Sequence, residues 1–211
     1  MALRSLPRPK RRSSAVAGRG RDDLKRAILD GARRLCRSDG IDGVSARKIA
    51  REVGCSPSAI YLYYRNVDEV LHHLRMEGHA VLSRYFAEVD RSLSPRRRLR
   101  GMSEAYFRFG REHPYDYELM FLHRFKEVPG REFVNREIFT LIEVRDVVKN
   151  GIDAGEIRRD LDPLEIANGI WLHVHGLTSL AIAGLLLQTA PGLEDRLLDG
   201  VLESIDRWIA A

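Results

Sequence analysis

The chain has 211 residues, a formal net charge of +5, 44% hydrophobic and 31% charged residues. That is enough length for one sizeable core, or for a small domain fused to a larger one, and the balance excludes a disordered or fibrous chain. Two cysteines argue against a disulfide framework and for a reducing, cytoplasmic setting; they are a redox pair or, as their places in the first helix and the turn favour, structural thiols. No apolar run follows the basic N-terminal residues, so no secretory signal is expected there.

Residues 1–21 hold Arg4, Arg8, Lys10, Arg11, Arg12, Arg19 and Arg21 and no acid, whereas residues 66–211 hold more acidic than basic groups. All the positive excess therefore lies toward the N-terminus. Basic groups that neutralise phosphates release counterions, which favours nucleic acid as a partner. The first twenty residues read as a disordered basic arm, which either touches DNA or is a solvated tail.

The first helix shows Leu24, Ala27, Ile28, Ala32 and Leu35 at one face, the spacing of an amphipathic helix. Cys36 continues its buried side. Then comes SARKIAREVGCSPSAIYLYYRNVDEVL, Ser45 to Leu71. Ile49, Ala50 and Val53 make an apolar face before Gly54, which suits a turn needing positive φ. Ser56 is placed to cap a helix whose first residue is Pro57, where the missing N–H costs nothing. Ile60 and Tyr64 then point inward. Two short helices joined this way present the second one to the major groove of DNA.

The stretch from Asp22 to Leu71 resembles the DNA-binding domain of TetR-family regulators. The amphipathic first helix, GIDGVSARKIA, GCSPSAIYLYY and an acidic start to the fourth helix occur in the family's order. Two positions depart from it. Cys55 stands where the family has an aliphatic residue, and Val67 where it commonly has a phosphate-binding Lys; Arg65 is the candidate replacement. The resemblance implies a DNA-facing set of Ser45, Ala46, Arg47, Ser56, Pro57, Ser58, Ala59, Tyr61, Tyr63 and Arg65. Ser45, Tyr61 and Arg65 suit phosphates, Arg47 and Ser58 base edges. Tyr61 could equally pack its ring on the domain and reach DNA only through its hydroxyl.

Beyond Asn66 the pattern is all helical. Asn66 and Glu69 form a capping-box pair opening a helix to about Leu93. Ser94-Pro95 opens the next, to His113-Pro114. A short helix covers Tyr115 to Phe125, and Val128-Pro129-Gly130 breaks it. Glu132 to Ala154 is long and ends at Gly155. Asp162-Pro163 opens an apolar helix through Gln188, and Leu193 to Ala210 is the last. Ile170 to Leu187 approaches the length of a membrane span, but its His173, His175, Thr178 and Ser179 fit a helix buried in a bundle or a subunit interface better.

Trp171, His175 and Gly176 are similar to the W…HG motif of one group of TetR-like C-terminal domains, which implies an effector-binding and dimerisation domain. Met102, Tyr106, Phe109, His113, Met120, Phe121, Phe125, Trp171 and His175 are either core or the lining of a mostly apolar pocket. Leu177, Leu180, Ala181, Gly184 and Leu185, with Leu198, Leu202 and Ile205, make apolar stripes on the last two helices. These pack within one chain, form a two-fold interface, or do both.

No metal site or cofactor is expected. His173 and His175 on one helix point about 200° apart, and His72, His73 and His79 share no ligand face. Neither a P-loop nor a catalytic nucleophile motif occurs. The expected architecture is all-α: an arm over 1–20, a helix-turn-helix domain over 21–67, and a ligand-binding and dimerisation bundle over 68–211. The expected function is a ligand-responsive dimeric repressor, not an enzyme. It would bind an inverted-repeat operator in double-stranded DNA and answer to a small apolar effector. The competing readings are a helical protein–protein module with a basic arm and a small-molecule enzyme using the Trp/His pocket.

Overall fold

A computed structural model describes residues 20–125, 139–186 and 191–211. The basic arm up to residue 19 and the Val128-Pro129-Gly130 break lie outside them. The described residues are helical, and their one β-contact is an isolated bridge between Ile157 and Ala210. The fold is all-α, and it divides into two compact units, the first ending at Val70 and the second beginning at Leu71. None of the described helices is long and apolar enough to cross a membrane.

The first unit is built by α1 (Arg21–Asp39), a single 3-10 turn (Ile41–Gly43), α2 (Ala46–Val53) and α3 (Pro57–Ile60). Leu24, Ile28, Ala32, Leu35 and Cys36 of α1 are buried, following the spacing read from the sequence. Ile49 and Ala50 of α2 meet them, and Ile60 and Tyr64 close the core. Burying each large side chain contributes roughly 1.5–3 kcal/mol. Gly31 lets α1 and α2 approach: a Cβ there would fall 2.7 Å from Val53 Cγ2. The Tyr64 hydroxyl donates to the Lys25 carbonyl at 3.2 Å, so the residue after α3 is tied back to α1. Cys36 is buried, whereas Cys55 is only half-buried.

Helix α4 (Val67–Ala87) is capped by Asn66, whose Oδ1 accepts from Glu69 N–H at 2.8 Å. It ends at Ala87, six residues short of the expected Leu93. There Asp90 takes Ser92 N–H and hydroxyl, a local turn that competes with helix. The second unit continues with α5 (Pro95–Glu112), α6 (Pro114–Tyr117) running into a π turn (Glu118–Leu122), α7 (Phe139–Asp153), α8 (Pro163–Ile182) and α9 (Leu193–Ile209). Asp162 caps α8 in a full capping box with Glu165. Helix α8 stops at Ile182 rather than Gln188. Gly184, at φ +65°, takes the left-handed conformation that ends helices.

Helix α5 packs against α7 and α8, and α8 also packs against α7 and α9. Leu99, Phe109, Tyr117, Val148, Ile166, Ile205 and Ile209 form the shared core. Two glycines set close approaches: a Cβ on Gly110 would sit 2.3 Å from Thr178 Cγ2, and one on Gly169 would sit 2.2 Å from the Trp208 ring. Gly176 has no such role within the chain, since a Cβ there meets nothing within 4 Å.

The apolar stripes on α8 and α9 split. Leu177, Leu202 and Ile205 are buried within the chain's own core, as expected where these stripes pack inside one chain; helical spacing marks a buried face without saying whose atoms bury it. Leu180, Gly184 and Leu185 are exposed, while Ala181 and Leu198 are half-buried.

Candidate functional site

The first candidate site is the outer face of α2 and α3. Ser45 Oγ caps α2 by accepting from Lys48 N–H at 3.3 Å. Gly54 follows at φ +78°, which turns the chain sharply enough for α3 to begin three residues later. Ser56 Oγ then accepts from Ala59 N–H at 3.2 Å and lies 2.9 Å from Ser58 Oγ. Ile60 is wholly buried, while Tyr61 and Leu62 are 54% and 74% exposed. A helix anchored through one face thus leaves the other bare.

Arg47, Ser56, Pro57, Ser58, Tyr61 and Arg65 are exposed, and Ser45, Ala59 and Tyr63 are half-buried. Tyr61 is 54% exposed, so about half of its side chain is open to a partner. Ala46 differs: its side chain is buried, so only its backbone at the start of α2 remains available to a ligand. Arg65 Nε lies 3.4 Å from Glu69 Oε2, an exposed pair that competes only weakly with a phosphate. Leu62 was missing from the sequence-derived set, because an apolar residue between aromatics reads as core; its burial could be told only once α3 was seen to end at Ile60.

The second candidate site is a cavity of about 340 Å³ inside the second unit. Met102 and Tyr106 of α5, Met120 and Phe121 of the π turn and Trp171 of α8 line it, five of the nine residues expected at a pocket. The other four lie elsewhere. Phe109 is fully buried and stacks on His113, with ring centroids 5.5 Å apart, and His113 Nε2 lies 3.1 Å from the Tyr85 hydroxyl. Phe125 stacks on His72 at 3.8 Å, under the Arg75 guanidinium. His175 stands behind the wall.

There His175 Nδ1 lies 2.9 Å from the Tyr106 hydroxyl and 2.6 Å from that of Tyr117. Trp171 Nε1–H donates to Tyr106 at 3.1 Å, and Ser179 donates to the His175 carbonyl at 2.7 Å. Burial pushes the His175 imidazole below its ordinary pKa and both tyrosines above theirs. The network is therefore neutral near pH 7, as a desolvated site requires. It fixes the rotamers of Trp171 and Tyr106, which hold the cavity open.

Helix α4 supplies lining residues that sequence reasoning missed: His79, Leu82 and Phe86. Their spacing of 3 and 4 was a readable signal, obscured because α4's even scatter of apolar residues gives it only a weak amphipathic face. Helix α7 adds Thr140, Leu141 and Val144. Burial, with the Arg75 charge adding to it, lowers the His79 pKa to about 4. Met120 reaches the cavity beside Gly78, where a Cβ would fall 2.7 Å from its sulfur. The arrangement is suited to holding a compact, mostly apolar, neutral molecule.

Comparison with known proteins places both units. The family model described as "Bacterial regulatory proteins, tetR family" matches residues 28–74, and "Tetracyclin repressor-like, C-terminal domain" matches residues 99–205, more than half of the chain. An uncharacterized HTH-type transcriptional regulator of Haemophilus influenzae is 32% identical over 69 residues, 33% of this chain. The match spans only 35% of that curated relative's length. A protein of unknown function from Rhodococcus has the same fold at TM-score 0.77 and 26% identity, over 93% of this chain and 100% of its own. AibR, solved with isovaleryl coenzyme A and operator DNA, matches at TM-score 0.66 and 18% identity over 86% of this chain and 97% of its own. With a helix-turn-helix unit matching one family model and a cavity-bearing bundle matching the other, the chain belongs to the TetR family of transcriptional regulators.

Proposed function

We propose that the chain is a dimeric repressor that binds an inverted-repeat operator in double-stranded DNA and leaves it when a small, mostly apolar effector fills the cavity. The observation that carries this reading is α3 itself. Its inner residue Ile60 is fully buried while Ser58, Tyr61 and Leu62 stand clear of the domain, which is the division of labour a groove-reading helix needs. AibR binds both an acyl thioester and an operator, and that supports one chain of this fold serving both ligands.

Dimerisation is assigned to the exposed part of α8 and α9. Leu172, Leu180, Leu185 and Leu197 are exposed large apolar residues there, and a soluble protein does not leave such a surface bare. Ala181, Gly184 and Leu198 complete the patch. An effector must bind the non-operator state more tightly to shift the balance; coupling of about 1–3 kcal/mol changes affinity roughly 5–150-fold. Helix α4 is the element that both borders the cavity and begins beside α3 in sequence.

The test is selection of binding sites from random duplex DNA by the full chain. An inverted repeat with half-sites on one face of the duplex is expected. Recovery of no sequence preference, with a salt-dependent affinity alone, would turn the reading toward the basic-arm protein–protein module. Deleting residues 1–20 from the selected complex should flatten the salt dependence and spare the preference.

A further inference from the structure

Polar groups buried in an apolar cavity are costly unless something satisfies them. Three of the polar side chains lining this one are already engaged. Tyr106 and Trp171 bond to each other, and Tyr106 also to His175. Ser103 donates to the Leu99 carbonyl at 2.9 Å. His79 is different. It is 7% exposed, it lines the cavity, and neither ring nitrogen has a hydrogen-bond partner among the described residues; Nδ1 is packed out of reach, which leaves Nε2 as the nitrogen open to a ligand. No other cavity-lining side chain among them leaves a buried polar atom in that state.

We propose that His79 is the polar anchor of the effector site, and that it selects a neutral ligand carrying a single hydroxyl or carbonyl head on an apolar body. The proposal rests on the ligand-responsive reading above. A neutral imidazole has one donor and one acceptor, so it can serve either head by choosing its tautomer. The body lies against Met102, Phe121 and Trp171.

A carboxylate is disfavoured on two counts. No charged side chain among the described residues lines the cavity, and the Arg75 charge felt by His79 stands outside that lining, so the anion would lose its water without a direct ion pair. Charging His79 to supply one is also hard: with its pKa near 4, the protonated form near pH 7 is about a thousandth of the whole. Size narrows the class further. The cavity of about 340 Å³ equals about eleven water volumes at roughly 30 Å³ each. A ten-carbon alcohol with one ring fits.

The test uses three matched probes, 4-phenylbutan-1-ol, butylbenzene and 4-phenylbutanoate, titrated calorimetrically into the full chain and into His79→Leu and His79→Gln. The alcohol is expected to lose about 3–10-fold in affinity in His79→Leu, the size of one buried neutral hydrogen bond. Butylbenzene should bind that variant as well as, or better than, the wild type. His79→Gln, which keeps a donor and an acceptor, should hold the alcohol within about two-fold of wild type. Because Gln retains the side-chain polarity, it serves as the test if His79→Leu does not fold. Equal responses of alcohol and hydrocarbon in the folded variants would remove His79 as the anchor while leaving the cavity a ligand site. Tightest binding by the carboxylate would overturn the neutral-ligand assignment. Failure of all three to bind the wild type would sink both this proposal and the effector cavity on which it rests, whereas loss of operator binding alone would leave it standing.

Discussion

The two units solve opposite problems with the same material. In the first, the side chains proposed to meet DNA are exposed, and Arg47, Ser58 and Tyr61 fall within fifteen residues of one another. The buried residues Ile49, Ile60 and Tyr64 exist to hold that short segment rigid. In the second, the side chains of the proposed site are buried or half-buried and come from far apart: His79 on α4, Met102 and Tyr106 on α5, Val144 on α7 and Trp171 on α8 all line one cavity. There, core and site are the same residues. A surface substitution in the first unit can therefore remove binding without touching stability, while almost any substitution around the cavity tests both at once.

The sharpest contrast lies between two leucines of the apolar stripes read from the last two helical segments. Leu202 is 1% exposed and Leu185 is 69% exposed. Placing a charge at Leu202 buries it unpaired, so Leu202→Glu should cost more than about 4 kcal/mol and prevent folding. Leu185→Glu should leave the melting temperature close to wild type and weaken self-association, as read by sedimentation. If Leu202→Glu folds normally as a monomer, Leu202 belongs to the interface after all.

Those residues also show where sequence reading stops. Helix ends at Pro95, His113 and Pro163, the cap at Ser56 and the turn at Gly54 were legible because each depends on one or two neighbouring residues. Whether Leu202 or Leu185 meets its own chain or another depends on atoms distant in sequence, and period alone carries nothing of that. The same holds for His79, whose role exists only because α5, α7 and α8 enclose it. Phe109 and Phe121 are indistinguishable as aromatic residues at helical spacing, yet one lies in the core and the other on the cavity wall.

Titration separates the units next. His79 keeps a folded pKa of about 4 against an ordinary 6.5, so the unfolded chain binds the proton more readily. Stability from this group is complete above pH 6.5 and falls as pH drops from about 6.5 toward 4. The shift corresponds to about 3 kcal/mol at the acid end, by roughly 1.4 kcal/mol per unit. Thermal melts of the full chain should show that loss, and His79→Leu should flatten it between pH 6.5 and 4.5. An unchanged acid limb in the variant would mean that another group governs the second unit's acid sensitivity.

Trp171→Ala probes the overlap of core and site. Trp171 is half-buried and gives its N–H to Tyr106, so truncation should cost about 2–3 kcal/mol of stability, below the range for a fully buried aromatic. It should also abolish the response to effector while operator binding in its absence persists. If operator binding and stability vanish together, Trp171 is core and the cavity needs another wall to explain the response.

The finest comparison is between two arginines on the first unit's exposed face. Arg47 has no ion-pair partner among the described residues, whereas Arg65 lies 3.4 Å from Glu69. A guanidinium that contacts a base edge should cost about 1–3 kcal/mol on removal and relax the preference at one position. Arg47→Ala is expected to behave that way in a binding-site selection. Arg65 must give up its pairing with Glu69 to reach a phosphate, and exposed pairs are worth only about 0.2–1 kcal/mol. The exchange is nearly even, so Arg65→Ala should weaken every duplex alike, by a few-fold. The slope of log affinity against log salt should shrink by about 1. Glu69→Gln discriminates further: freeing Arg65 should tighten binding and steepen that slope. If Arg65→Ala instead alters which bases are chosen, Arg65 reads the groove, and the phosphate contact belongs to another residue of this face.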